Sequence, residues 1–209
     1  MIPSQETSSP VAYFTLASSG GGGGDLDQPQ ILPSSSIGAA SLPPLTLVLG
    51  GARSGKSRHA ERLVEQAGGG IYLATAEAGD AEMQARIRAH RARRGSAWQT
   101  IEEPRDLESA LLRAATGGRP VLVDCLTLWL SNILLAGADV EAASEALLMA
   151  LPRVKAPVLL VANEVGLGIV PDNALARRFR DAAGRLNQAV ATIADRVLFI
   201  AAGLPLVLK

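Results

Sequence analysis

The stretch Leu45-Thr-Leu-Val-Leu-Gly50-Gly-Ala-Arg-Ser-Gly55-Lys56-Ser57 decides the fold of this 209-residue chain. Its apolar run, Leu45 to Leu49, has the continuous pattern of a strand buried on both faces. Directly after it, Gly50-x-x-x-x-Gly55-Lys56-Ser57 fits the phosphate-binding loop at every fixed position. Glycine at 50 and 55 allows positive φ and close backbone approach, so successive amides can converge on a phosphate. Lys56 carries a cation to the β and γ oxygens, and Ser57 offers a hydroxyl to Mg²⁺. A helical pattern (Ala60, Leu63, Val64, Ala67) begins at once and adds the positive end of its dipole. A glycine-rich turn with a chance lysine would not be framed by a strand and a helix. The stretch is therefore read as a nucleoside triphosphate site.

Outward from this loop, short apolar runs alternate with helical periodicity. Strands are expected at 45–49, 71–74, 121–124, 158–162 and 197–201, with a last short one at 204–208 after a Gly203-Leu-Pro turn. Helices are expected near 56–67, 80–94, 106–115, 127–135, 139–151 and 173–194. Such alternation predicts an α/β domain with a mostly parallel, helix-flanked sheet over residues 45–209. In sheets of this kind ligands sit beyond the carboxyl ends of the strands. One rim therefore gathers Gly50–Ser57, Thr75–Gly79, Asp124-Cys125 and Asn163-Glu164-Val165-Gly166.

Composition narrows the classes. A hydrophobic content of 48% supports one well-cored domain, and zero formal net charge implies no bulk attraction to nucleic acid or membrane. The single cysteine, Cys125, excludes an internal disulfide and suits a reducing cytosol. No apolar run approaches the length of a membrane span, so a soluble, cytoplasmic protein is expected. Residues 1–44 differ in kind. Ser8-Ser9-Pro10, the glycines Gly20 to Gly24, Pro33-Ser-Ser-Ser36 and Pro43-Pro44 cannot bury a core, so a disordered extension is expected. The patch Val11 to Ala17 lacks the basic leader of a secretory signal. An early start codon is the alternative, which N-terminal sequencing of the native protein separates.

Asp124 ends an apolar strand, where phosphate-loop enzymes place an acid to hold Mg²⁺; capping the next helix is the competing role. Glu164 holds the matching place after the next strand and leads into Gly166-Leu-Gly168-Ile-Val-Pro171, either a loop that closes over substrate or a plain connection. The most unusual stretch is Arg86-Ile-Arg88-Ala-His90-Arg91-Ala-Arg93-Arg94, where five arginines surround one of two histidines. On a helix, Arg86, His90, Arg93 and Arg94 share a face. A solvated basic face is the ordinary explanation. The specific one is a phosphate-handling site whose guanidinium groups keep His90 neutral, so that it attacks phosphorus and forms a phosphoramidate. His59, in the first turn after the loop, fits packing or capping better. Glu102 suits a guanine edge, a ribose hydroxyl, or a pairing with Arg93 or Arg94, and spacing does not choose.

These motifs together resemble the bifunctional adenosylcobinamide kinase / adenosylcobinamide-phosphate guanylyltransferases of cobalamin biosynthesis. The resemblance is carried by Gly50-Gly-Ala-Arg-Ser-Gly-Lys-Ser-Arg-His-Ala-Glu61, by Glu82-Met83, Arg86-Ile87 and His90-Arg91, and by Trp98 through Glu102. Asp124-Cys-Leu-Thr-Leu-Trp-Leu-Ser-Asn132, Asn163 to Pro171, Arg178-Phe-Arg-Asp181 and Gly184-Arg-Leu-Asn-Gln188 complete it. Residues 45–209 are covered in order; residues 1–44 have no counterpart. The resemblance implies a RecA-like phosphate-loop fold, a homotrimer, and ATP and GTP as substrates. It implies phosphorylation of adenosylcobinamide, then transfer of GMP through a guanylylated histidine, at His90, to adenosylcobinamide phosphate. Nucleotide contacts then fall on Gly50, Gly51, Ala52, Arg53, Ser54, Gly55, Lys56 and Ser57, on Ala76, Glu77 and Ala78, on Arg93, Arg94, Gly95 and Ser96, and on Glu102 and Asp124. Lys56 and His90 are the expected catalytic residues, with Mg²⁺ on Ser57 and Asp124. Arg93 and Arg94 are expected to neutralise charge as pyrophosphate leaves.

Two other classes remain in view. A phosphate-loop kinase would lack the guanylyl step. A nucleic-acid-stimulated ATPase would use the arginines, but aromatic content of 3% leaves few side chains for base stacking.

Overall fold

Strands that are apolar without alternation must be covered on both faces, and the chain meets that demand with one sheet between two helical layers. The computed structural model describes residues 41–77 and 95–209. In chain order it holds β1 (Leu45–Gly50), α1 (Lys56–Gln66), β2 (Gly70–Ala74), β3 (Trp98–Glu102), α2 (Leu107–Ala114) and β4 (Val121–Asp124). Then come α3 (Leu126–Leu135), α4 (Val140–Ala150), β5 (Val158–Asn163), α5 (Ala174–Ile193), β6 (Arg196–Ala201) and β7 (Leu204–Val207). The helix expected over 80–94 and the extension expected over 1–44 fall outside the described residues, except at Ser41 to Pro44.

The sheet runs β3-β2-β4-β5-β1-β6-β7 and is parallel throughout except for β7, which returns antiparallel to β6. All six residues of β1, an interior strand between β5 and β6, are buried. One face, with Val48, Tyr72, Leu122, Leu159 and Leu198, is covered by Ala60 and Val64 of α1. The other, with Leu47, Leu73, Val123 and Leu160, packs against Leu111, Trp129, Leu147 and Leu186 of α2 to α5. Asp106, Asp139 and Asn173 cap α2, α4 and α5 by accepting from Ser109, Ala142 and Ala176 amides.

Two elements depart from expectation. Trp98–Glu102 is a strand, pairing parallel with β2 at the sheet edge. It lacks a continuous apolar run because an edge strand is only half covered, and none of its residues is fully buried. β7 ends one residue earlier than expected and turns from β6 through Ala202 and Gly203, with φ of 51° and 80°. A two-residue loop with positive φ at both positions matches the twist of its strands.

Register lines up the working ends. Ala74 pairs with both Glu102 and Asp124, and Gly50 pairs with Asn163 and Ile200. The carboxyl ends of β3, β2, β4, β5 and β1 therefore form one rim. No described helix is long and apolar enough to cross a membrane.

Candidate nucleotide site

The phosphate loop is shaped by what glycine lacks. A Cβ on Gly50 would stand 2.6 Å from both the Ile200 carbonyl and Ser54 Oγ. Gly55 caps α1 with φ of 94°, and a Cβ there would meet Gly203 Cα at 3.3 Å. The β6–β7 turn braces the loop, since the Gly203 amide donates to the Ser54 carbonyl at 2.8 Å. Lys56 is 8% exposed and folds back, its Nζ donating to the Gly51 carbonyl at 2.9 Å. That contact folds the ammonium back onto the loop. Ser54 Oγ is buried without a hydrogen-bond partner, a donor available to an anion in the loop.

Asp124 stands on the same rim. Its competing role as a helix cap falls away, because Cys125 caps α3 with Sγ accepting from the Leu128 amide at 3.4 Å. The Tyr72 hydroxyl donates to Asp124 Oδ2 at 2.7 Å, which orients the carboxylate and leaves Oδ1 for another partner. Tyr72 is itself fixed by an edge-on contact with Trp98, ring centres 5.9 Å apart, and Trp98 Nε1 donates to Glu65 of α1 at 3.1 Å. A serine hydroxyl opening α1 and one carboxylate fit Mg²⁺, which keeps its waters and takes few protein ligands. Among the described residues no cluster of three or more metal-ligating side chains exists. The Cys125 thiol is pushed up to about 12, first by burial and then by the Asp124 charge, so it is no nucleophile at neutral pH.

The Asp124–Asn132 stretch ties the rim together. Thr75 Oγ1 receives the Cys125 amide and donates to the Cys125 carbonyl, both at 2.8 Å. Thr127 Oγ1 accepts from the Asn163 amide at 2.7 Å. Trp129 Nε1 donates to the Arg105 carbonyl, while Asn132 Nδ2 donates to the Thr75 and Pro104 carbonyls. One helix thus anchors the loops after β2, β3 and β5. Thr75 lies in the stretch that sequence places on the rim, and Asn132 in a family motif, but neither is given a role by spacing; Tyr72 is missed altogether, its hydroxyl inside an apolar strand being the available signal.

Other expected residues scatter. Ala76 and Glu77 follow β2 on the rim, with Glu77 paired to Arg105 at 3.0 Å. Glu102 ends β3 beside Ala74, but Gly95 and Ser96 precede that strand at its amino end. The strand Trp98–Glu102 lies between them, so Ser96 and Glu102 stand at opposite ends of β3. Ala78, His90, Arg93 and Arg94 lie outside the described residues. His59 sits near Arg62, 3.5 Å from its Nδ1, and its pKa is lowered first by partial burial and then by Arg62 and Arg196.

A central parallel sheet, a glycine-shaped loop at the end of β1 and an acid at the end of β4 define a phosphate-loop nucleotide-binding protein of the RecA-like class. Two solved structures share the fold at TM-score 0.50. They are the flagellar accessory protein FlaH from Methanocaldococcus jannaschii (13% identity; 80% of this chain, 79% of that one) and a type III secretion ATPase (15%; 78% and 56%). The family model described as cobinamide kinase / cobinamide phosphate guanyltransferase matches residues 46–208, and this chain belongs to that family. The bifunctional adenosylcobalamin biosynthesis protein CobP of Pseudomonas aeruginosa is 52% identical over 166 residues, 78% of this chain and 96% of that protein. The corresponding CobU protein of Salmonella typhimurium is 40% identical over 180 residues, covering 79% and 99%.

Proposed function

We propose that this protein phosphorylates adenosylcobinamide with ATP or GTP, then transfers GMP from GTP to adenosylcobinamide phosphate, giving adenosylcobinamide-GDP and pyrophosphate. The observation that carries this reading is the phosphate loop, with Lys56 folded back onto it and Asp124 on the same rim, in a chain matched by the bifunctional family over 46–208.

In the kinase step the loop amides and Lys56 hold the β- and γ-phosphates, and the dipole of α1 adds to the positive field. Ser57 and Asp124 would hold Mg²⁺, which would supply charge neutralisation to the phosphates. Tyr72 keeps the Asp124 carboxylate facing that position. In the transfer step His90 attacks the α-phosphorus of GTP and pyrophosphate leaves; the acceptor's phosphate oxygen then displaces His90. Arg93 and Arg94 neutralise the departing charge. Glu102 contacts the guanine or ribose from the rim.

A homotrimer completes this arrangement. Two features support it: Gly95 and Ser96 stand away from their own rim, and β7 is an edge strand with Leu204, Leu206 and Val207 all more than half exposed. Light scattering is expected to return three times the chain mass. Residues 45–209 carry both activities, in a cytoplasmic enzyme. The test is product analysis: purified protein with γ-labelled ATP or GTP and adenosylcobinamide is expected to yield labelled adenosylcobinamide phosphate. An unlabelled corrinoid would overturn the kinase assignment.

A further inference from the structure

Neither the kinase step nor the transfer step uses the stretch Asn163-Glu164-Val-Gly166, although it stands beside the phosphate loop. The Glu164 amide donates to the Gly50 carbonyl at 3.1 Å, so this residue is joined to the first glycine of the loop. Its own Oε1 accepts from the Gly166 amide at 2.6 Å, which fixes the carboxylate and leaves Oε2 open. A cleft of about 880 Å³ starts here. It runs from Leu49 and Glu164 at the rim, past Gly184, Asn187 and Gln188 of α5, to Lys209. Lys209 marks the far end because its backbone pairs with Val197, at the start of β6. A cavity of this size takes a ligand considerably larger than a nucleoside, and its mix of amide, charged and aliphatic walls suits an amphipathic one.

Gly184 is the second observation. It lies inside the 20-residue helix α5, where glycine is the least favourable residue after proline. No neighbouring atom requires it: a Cβ there would meet nothing within 4 Å. Its absent side chain keeps the cleft wall low.

We propose that this cleft is the binding site of the acceptor alcohol and that Glu164 is a catalytic residue of the phosphoryl transfer. The inference rests on the proposed kinase activity and adds the acceptor subsite to it. The acceptor is a broad macrocycle edged with amide groups; its rim meets Gln188, and its hydroxyl-bearing arm reaches past Leu49 to the loop. The hydroxyl oxygen forms a bond to the γ-phosphorus as the bond to the β,γ-bridging oxygen breaks. The nucleoside diphosphate leaves with that electron pair, and the hydroxyl proton passes to Glu164 Oε2.

Steady-state kinase assays on the wild type, Gly184→Leu and Glu164→Gln, varying adenosylcobinamide and nucleotide separately, test both parts. Gly184→Leu is expected to raise the acceptor KM at least about tenfold with the nucleotide KM unchanged, while its Tm stays level or rises, because leucine favours the helix. Glu164→Gln is expected to lower kcat roughly 10²- to 10⁴-fold, the usual share of a general base, with little change in either KM. It keeps α-phosphate labelling by GTP. A Gly184→Leu protein with wild-type acceptor KM, or one that changes only its oligomeric state, overturns the subsite. Wild-type kcat in Glu164→Gln overturns the catalytic role. A wild-type protein that phosphorylates no cobinamide fails the kinase reading itself, a result distinguishable from both.

Discussion

At the scale of single residues, the site depends on groups that sequence spacing identifies and on groups it does not. Gly50, Gly55, Lys56 and Ser57 are legible because each has one chemical reason to stand in a phosphate loop. Gly50 carries a further constraint that no spacing reveals: its backbone approaches Ile200, which is 150 residues away in the chain. Gly50→Ala is therefore expected to lose triphosphate binding and to fold less stably by about 1–3 kcal/mol, the cost of overpacking. Nucleotide titration and urea denaturation of the same variant read the two effects. Asp124 illustrates the opposite case. From sequence it was metal ligand or helix cap, and only the position of Cys125 Sγ on the Leu128 amide removes the second role.

At the scale of elements, continuous apolarity located β1, β2, β4, β5 and β6, because strands buried on both faces have nowhere to place a polar side chain. β3 escaped the same test because an edge strand keeps polar residues on its open side. The roles within α3 were hidden for another reason: its partners are distant in the chain. Asn132 reaches Thr75 and Pro104 across separations of 57 and 28 residues. Asn132→Ala leaves both carbonyls without that donor. It is expected to cost about 2 kcal/mol, a fall in Tm of roughly 4–8 °C, and to lower kinase activity by loosening the loops after β2 and β3. Calorimetry alongside the kinase assay checks this; loss of stability with full activity would separate α3 from the site.

At the scale of the whole molecule, protonation becomes a property of the fold. The His59 pKa is lowered from 6.5, so the folded state resists its protonation and stability is lost as pH falls through that value. The Cys125 thiol is raised from 9.0 to about 12, so its contribution is complete below pH 9 and fades as pH rises towards 12. Urea midpoints are expected to be highest between these limits and to fall on both sides. His59→Gln and Cys125→Ser are expected to flatten the acid and alkaline limbs respectively.

The central claim is that one small domain performs two transfers, on different phosphorus atoms, with the loop at Lys56 serving one and His90 the other. Labelling with GTP carrying ³²P in its α-phosphate tests it most directly. The wild type is expected to acquire an acid-labile label that adenosylcobinamide phosphate discharges as labelled adenosylcobinamide-GDP. His90→Ala is expected to remain unlabelled while still phosphorylating adenosylcobinamide. A His90→Ala protein that labels normally, or a wild type that makes adenosylcobinamide-GDP without ever being labelled, would contradict the account.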